Sequence, residues 1–146
     1  MKMQINTLEP KLLEEVVLVT DGGCRPNPGI GAIGFIIYDR GGHEIWRGSK
    51  RIGETTNNQA EYRALIYGLE NAAKYTRQRV FCFLDSQLVV KQAKREIEVN
   101  KFQILILYEE LKEKERFFKE VNYGRLSKGH PQIIKVDALV KEALGI

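Results

Sequence analysis

The order of apolar runs along the chain constrains its fold more than any other feature. The predicted strands span residues 16–20, 30–39, 44–53, 79–85 and 121–126. The predicted helices span residues 59–75, 86–96, 100–120 and 131–145. A turn signal, "DRGGH", separates the second strand from the third. The predicted order is therefore β-β-β-α-β-α-α-β-α.

This order predicts an α/β protein with one mixed sheet. The first three strands are joined by short connections and should form an antiparallel meander. The later strands arrive through helical crossovers and should add in parallel. We expect a five-stranded sheet flanked by helices in one domain over residues 16–146, preceded by an N-terminal arm over residues 1–15.

Composition removes several classes of protein. No apolar run is long enough to cross a membrane, and the charged start "MKMQINTLEPKLLEEV" does not resemble a signal peptide. Cys24 and Cys82 are too few for a disulfide framework and lack zinc-ligand spacing, so we expect reduced thiols in a cytoplasmic protein. The net charge of +4 is compatible with a polyanionic partner without requiring one.

Two aspartates directly follow apolar strands. Asp21 begins the stretch "DGGCRPNPG", and Asp85 follows "RVFCFL". Ligand sites in open α/β sheets gather at the carboxyl ends of strands. Either residue could instead have a local role, since Asp21 could shape a turn and Asp85 could cap the next helix.

Glu61 is harder to explain by local structure. Its predicted helix places it on the same face as Ala64, Leu65, Gly68 and Ala72, a small and apolar face suited to packing on the sheet. A buried carboxylate is unfavourable unless a cation or several donors satisfy it. An exposed glutamate at the start of the helix remains the alternative.

Asp137, on the last predicted helix, could be a surface acid or the fourth member of a cluster with Asp21, Glu61 and Asp85. Four converging carboxylates repel one another, and a hard divalent cation such as Mg²⁺ relieves that repulsion. Two such ions could serve phosphodiester cleavage.

The ordered motifs resemble type 1 ribonuclease H over residues 16–144. They are "VTDGG", "TTNNQAEYRALIYGLENA", "FLDSQ" and a late "DAL" on a helix. The resemblance is to short archaeal- and bacterial-like forms, without a hybrid-binding domain or a basic protrusion after "DSQ". It implies a metal-dependent endonuclease that cuts the RNA strand of RNA–DNA hybrids, leaving 5′-phosphate and 3′-hydroxyl ends.

The resemblance also implies a role for each acid. Asp21 would bridge two Mg²⁺ ions, for which Mn²⁺ could substitute. Glu61 and Asp85 would hold the ion on the leaving-group side, and Asp137 the ion on the water side. The protein would act as a monomer on the hybrid, with no obligate protein partner and no membrane.

Substrate contacts follow from the same resemblance. Residues next to the first aspartate and at the start of the first helix would read the RNA minor groove and its 2′-hydroxyls, or a DNA phosphate. They are Gly22, Gly23, Cys24, Thr56, Asn57, Asn58, Gln59 and, in "DSQ", Gln87. Thr56 and Asn57 also have the residue types of a helix cap.

One departure concerns a mobile catalytic histidine, which relatives carry about ten residues before the last acid. That position here is Ser127, whereas His130 lies seven residues before Asp137. Either the loop is shorter and His130 is catalytic, the reading favoured here, or His130 matches a second, non-catalytic histidine.

Three other functions fit parts of the sequence. A non-catalytic module that binds hybrids would have no need for four mutually repelling acids. Another polynucleotidyl transferase would lack the "DGG" and "TNN" stretches. A structural domain with surface acids would not respond to metal ions.

Overall fold

The structure is a computed structural model that describes residues 12–146. Its strands are β1 (Leu13–Arg25), β2 (Gly29–Tyr38), β3 (Glu44–Thr55), β4 (Thr76–Leu84) and β5 (Glu120–Arg125). Its helices are α1 (Asn57–Ala72), α2 (Gln87–Ala93), α3 (Phe102–Glu115) and α4 (Pro131–Leu144). The predicted order of elements is confirmed. None of these four helices has the length and hydropathy needed to cross a bilayer.

The five strands form one mixed sheet in the order β3-β2-β1-β4-β5. β1 pairs antiparallel with β2, and β2 with β3, whereas β4 joins β1 in parallel and β5 joins β4 in parallel. The α/β class and the mixed sheet predicted from the sequence are both confirmed. β1 and β4 are thus interior strands, buried among neighbours on both sides.

Helices cover both faces of the sheet, as the alternation of side chains along β1 requires. On one face Leu18 packs in a core with Leu65 and Leu69 of α1, and α2 and α3 complete that layer. On the other face Val19 packs with Val136 of α4 in a smaller core. The two faces therefore present α1 and α4 to opposite sides of β1.

β1 is longer than the sequence predicted, at both ends. The stretch "DGGCR" does not leave the sheet, because it continues to pair with β2: Gly22 lies opposite Ile33 and Gly23 opposite Ala32. At its start, the amide of Leu13 donates to the carbonyl of Tyr75 at 2.7 Å. Residues 13–15, predicted as part of an arm, are therefore in the strand, and residues 1–11 lie outside the described residues.

Local chemistry sets where the helices begin and end. α1 starts at Asn57 because Thr56 and Gln59 form a reciprocal capping box, each side chain bonding to the other's backbone amide. α2 ends at Ala93, well before the predicted residue 96, and Arg95 beyond it has a left-handed backbone with φ of 63°. The long predicted helix over 100–120 is only α3, since the chain turns after Glu115 to enter β5.

Candidate active site

The parallel register of β1 and β4 brings two of the predicted acids to the same level. Val19 pairs with Phe83, and Asp21 and Asp85 each lie two residues further along their strands. β4 ends at Leu84, but β1 continues to Arg25. The prediction that Asp21 lies at the end of its strand is therefore wrong. It lies where β1 loses its β4 neighbour and a cleft opens beside it.

Gly22 places Glu61 against this cleft. A Cβ atom on Gly22 would lie 2.3 Å from the carbonyl oxygen of Ala60 and 3.0 Å from the amide nitrogen of Glu61. Any larger residue would push away the first turn of α1, because backbone atoms cannot yield as a flexible side chain can. The close approach of α1 to β1 at Gly22 thus fixes the position of the Glu61 backbone beside the cleft.

The Glu61 carboxylate is largely buried, as its helix face predicted. Its Oε2 atom is inaccessible to solvent and has no hydrogen-bond partner among the described residues. Burial raises the pKa of Glu61 to about 7, and the charge of Asp85 acts in the same direction. The side chain of Ser86 and, to a smaller extent, the positive charge of Lys128 oppose this rise in the pKa of Glu61.

Asp137 reaches the cleft from the opposite face of the sheet. α4 crosses β2 closely at Gly34, the residue paired with Asp21: a Cβ there would lie 3.4 Å from the Val136 carbonyl oxygen. Asp137 follows Val136 and is partly exposed, with its Oδ2 atom 3.1 Å from the ammonium of Lys141. α4 thus lies close to β2 at Gly34, although less closely than α1 lies to β1 at Gly22, where a Cβ would be 2.3 Å from the Ala60 carbonyl oxygen.

All four predicted acids line one open cleft of about 280 Å³. Burial, and then the charges of Asp85 and Asp137, raises the pKa of Asp21 to about 8. Within residues 12–146, no three acidic, histidine or cysteine side chains already surround a common point closely enough to hold an ion.

The donor set nevertheless fits a hard divalent cation. Every candidate ligand is a carboxylate oxygen, the ligand type that Mg²⁺ and Mn²⁺ accept. The unpartnered Oε2 atom of Glu61 is a buried acceptor that no protein donor satisfies within the described chain. A cation between Glu61 and its neighbours would satisfy that atom and offset the repulsion that raises the pKa of Asp21.

The predicted substrate residues of "TNNQ" line a second groove next to Glu61. This groove, of about 680 Å³, also contains Asn27 and Lys101. Asn57 has a structural role as well, because its Oδ1 atom accepts from the amide of Cys24 at 3.0 Å. Its side-chain NH₂ donors are not used in that bond and remain available. Asn57 therefore joins the end of β1 to the start of α1 and lines both cavities.

The other predicted substrate residues differ in position. Gly23 and Cys24 line the cleft, although Cys24 is almost completely buried. Gly22 lines it too, but the space above its Cα is taken by α1. Gln87 is exposed at the first position of α2 and lines neither the cleft nor the groove.

The structure gives His130 a local role. It is the N-cap of α4, and its Nδ1 atom accepts from the amide of Gln132 at 3.1 Å. It does not line the cleft, whereas Lys128, two residues earlier in the same loop, does.

Sequence reasoning also missed Arg25 and Lys141, which line the cleft with Lys128. Of the three, only Lys141 had a visible signal, its position four residues after Asp137 on a predicted helix.

Comparison with known proteins identifies the family. The reverse transcriptase-like family matches residues 19–124. The bifunctional protein Rv2228c of Mycobacterium tuberculosis is 36% identical over 110 residues, covering 75% of this chain and 30% of that protein. Ribonuclease HI of Halobacterium salinarum is 46% identical over 72 residues, covering 49% of this chain and 36% of that protein. The chain spans about a third of the length of these curated relatives.

Solved structures agree over nearly the whole fold. RNase H1 of Halobacterium salinarum has a TM-score of 0.85 at 33% identity, covering 90% of this chain and 98% of that one. The N-terminal RNase H domain of Rv2228c also gives 0.85, at 30% identity and coverages of 91% and 95%. LC11-RNase H1, solved in complex with an RNA/DNA hybrid, gives 0.83 at 30% identity, with coverages of 89% and 96%. The chain belongs to the reverse transcriptase-like family and has the fold of the type 1 ribonucleases H.

Proposed function

We propose that this protein is a ribonuclease H, an endonuclease that hydrolyses the RNA strand of RNA–DNA hybrids with the help of divalent metal ions. The observation that carries the proposal is the convergence of Asp21, Glu61, Asp85 and Asp137 on one open cleft from both faces of the sheet. The relatives named ribonuclease H, and the similar fold solved with an RNA/DNA hybrid, support the same reaction.

The four carboxylates would hold two Mg²⁺ ions. Asp21 would be the ligand that both ions share, which agrees with the effect of all three other acids on its pKa. Glu61 and Asp85 would complete one site, and Asp137 the other. When bound, the ions supply positive charge that stabilises the charge developing on the scissile phosphate.

The residues around the acids would position the hybrid. The groove at Asn57, Asn58 and Gln59 begins at Glu61 and is lined by amide groups, which can both donate to and accept from a 2′-hydroxyl. Gly23 adds no side chain to the cleft wall, so a sugar can approach the backbone there. This combination favours an RNA strand at the acids.

Cations at the rim of the cleft would hold the phosphates. Arg25 and Lys128 are both exposed and line the cleft and an adjoining cavity that contains Asp21 and Asp85. Salt should weaken hybrid binding because each phosphate contact releases a counterion. The expected products are a 5′-phosphate and a 3′-hydroxyl.

The test uses one RNA–DNA hybrid, end-labelled on either strand and incubated with Mg²⁺, with Mn²⁺ or with chelator. Wild type is compared with Asp21→Asn and with Asp39→Asn. Asp39 is the one aspartate of the chain outside the cleft, in the turn between β2 and β3, so it controls for loss of an aspartate charge. We expect metal-dependent cutting of the RNA strand alone, lost in Asp21→Asn and kept in Asp39→Asn.

Other outcomes would identify other functions. Hybrid binding without cutting in any metal would indicate a non-catalytic binding module. Cutting of both strands, or of duplex DNA, would indicate a different polynucleotidyl transferase. We further propose that Mn²⁺ can replace Mg²⁺ and that the protein acts as a monomer in the cytoplasm, without an obligate protein partner.

A further inference from the structure

One cleft acid already has a cation of its own. The ammonium of Lys141 lies 3.1 Å from Oδ2 of Asp137, one helix turn earlier on α4. Both residues line the cleft and the adjoining cavity that contains Asp21. The order, acid first and lysine four residues later, is the favourable one on a helix, and the C-terminal end of α4 also favours a positive charge.

The other three acids lack such a partner. Over residues 12–146, no lysine or arginine nitrogen lies within 4.0 Å of the carboxylate oxygens of Asp21, Glu61 or Asp85. A cation entering beside those three acids has no paired ammonium to displace. A cation entering beside Asp137 meets an ammonium on the same oxygen. The two sides of the cleft therefore differ before any metal ion binds.

We propose that Lys141 is an internal counter-cation that occupies Asp137 until a metal ion replaces it, so that the Asp137 side of the cleft binds its ion last and more weakly. This inference rests on the proposed two-ion site. The side chains of Lys141 and Asp137 are 48% and 41% exposed, so water can replace either partner and the pair can open readily. Lys141 thus lowers the affinity of one ion without blocking the site.

The test measures metal binding rather than cleavage. Mn²⁺ is titrated calorimetrically at low ionic strength into wild type, Lys141→Met and Lys135→Met. Lys135 is a matched control because it lies on the same helix, is 47% exposed and pairs with Glu44 at 3.6 Å, but does not line the cleft. We expect Lys141→Met to tighten the weaker Mn²⁺ site about fivefold, because the ion no longer competes with the ammonium for Asp137, and Lys135→Met to change it less than about 1.5-fold.

A double-mutant cycle separates the local contact from a general charge effect. If Lys141 acts through Asp137, Lys141→Met should have no effect on Mn²⁺ affinity in an Asp137→Asn background. An equal effect of both lysine variants, a weaker Mn²⁺ site in Lys141→Met, or a gain that persists without Asp137 would each overturn the inference while leaving the metal site itself intact. Absence of Mn²⁺ binding in every folded variant would instead refute the proposed metal site, and this inference with it.

Discussion

Replacing Asp21 with asparagine should stabilise the metal-free protein at alkaline pH. Burial is the main reason that the pKa of Asp21 rises from 3.8 to about 8, and the charges of its neighbours add to it. Below pH 4 the carboxyl group is protonated in both the folded and the unfolded chain, so it contributes no penalty. As the pH rises towards 8, the unfolded chain loses this proton readily and the folded chain does not.

The size of the effect follows from the same pKa. The rise from 3.8 to about 8 corresponds to at most about 6 kcal/mol, at about 1.4 kcal/mol for each step of one in pKa. Part of this rise comes from the charges of Asp85 and Asp137, which solvent and ions screen, so we expect about half of this bound. Asp21→Asn should therefore raise the free energy of unfolding by about 3 kcal/mol at pH 8.5 and change it little at pH 4.5.

The assay is urea unfolding followed by circular dichroism in EDTA, at pH 4.5, 6.5 and 8.5. Asp39→Asn is the control of opposite sign. The backbone amide of His43 donates to Asp39 and lowers its pKa, so the charged form of Asp39 is favourable in the folded state above pH 4. Asp39→Asn should therefore not raise the free energy of unfolding at any of the three pH values, and should lower it above pH 4.

The result that would refute this reasoning is an Asp21→Asn protein whose stability follows that of wild type across the whole pH range. That outcome would mean that Asp21 remains solvated and carries no electrostatic penalty. Adding Mg²⁺ at pH 8.5 supplies a second check. It should stabilise wild type, which can bind the ion, more than Asp21→Asn, because a ligand stabilises only the state that binds it.

Three further predictions concern packing, backbone and loop residues. Gly22→Ala should lower the free energy of unfolding by about 2–3 kcal/mol in urea titrations. Gly23→Ala should change it by less than about 0.5 kcal/mol, because a Cβ there would lie 3.6 Å from its nearest neighbour. Equal losses in the two variants would contradict the packing of α1 on β1. Arg95→Gly should raise the free energy of unfolding by up to about 1 kcal/mol, and the thermal midpoint with it, because glycine adopts the left-handed conformation without steric penalty. A lower thermal midpoint would show that contacts of the arginine side chain contribute more than the backbone strain costs. His130→Ala should lower the free energy of unfolding by about 1 kcal/mol through loss of the α4 cap and keep hybrid cleavage, whereas Lys128→Ala should keep stability and reduce the salt dependence of hybrid binding by about one phosphate contact. Loss of cleavage in His130→Ala with unchanged stability would instead support the predicted catalytic role of His130.

The sequence predicted what local patterns determine. Apolar periodicity was enough for the order of strands and helices, and the position of Asp85 directly after a strand was read correctly. The small face around Glu61 favoured burial of this side chain over exposure, and its Oε2 atom is inaccessible to solvent. Thr56 has the residue type of a helix cap, and it is the N-cap of α1, although its capping-box partner Gln59 was predicted only as a substrate contact.

The parts that failed depend on neighbours distant in sequence. Glycine and proline after Asp21 indicate a loop when the sequence is considered alone, but β2 holds the glycines in the sheet. Nothing near Gly22 in sequence shows that α1 will rest on it. The catalytic role of His130 stays a prediction, and its spacing from Asp137 does not by itself show which residue of the loop lines the cleft, since that depends on how the loop leaves β5.

The pairing of β1 with two different strands has a consequence for the order of folding. β1 meets β2 across a short turn, but it meets β4 only after roughly sixty further residues. During synthesis the meander and α1 can assemble first, and Asp21 then has Glu61 nearby but neither Asp85 nor Asp137. The acidic cluster forms only when β4 and α4 dock, so its repulsion is absent while the first half of the sheet is built. Divalent ions should accordingly slow unfolding of the finished protein far more than they speed the earlier steps of folding.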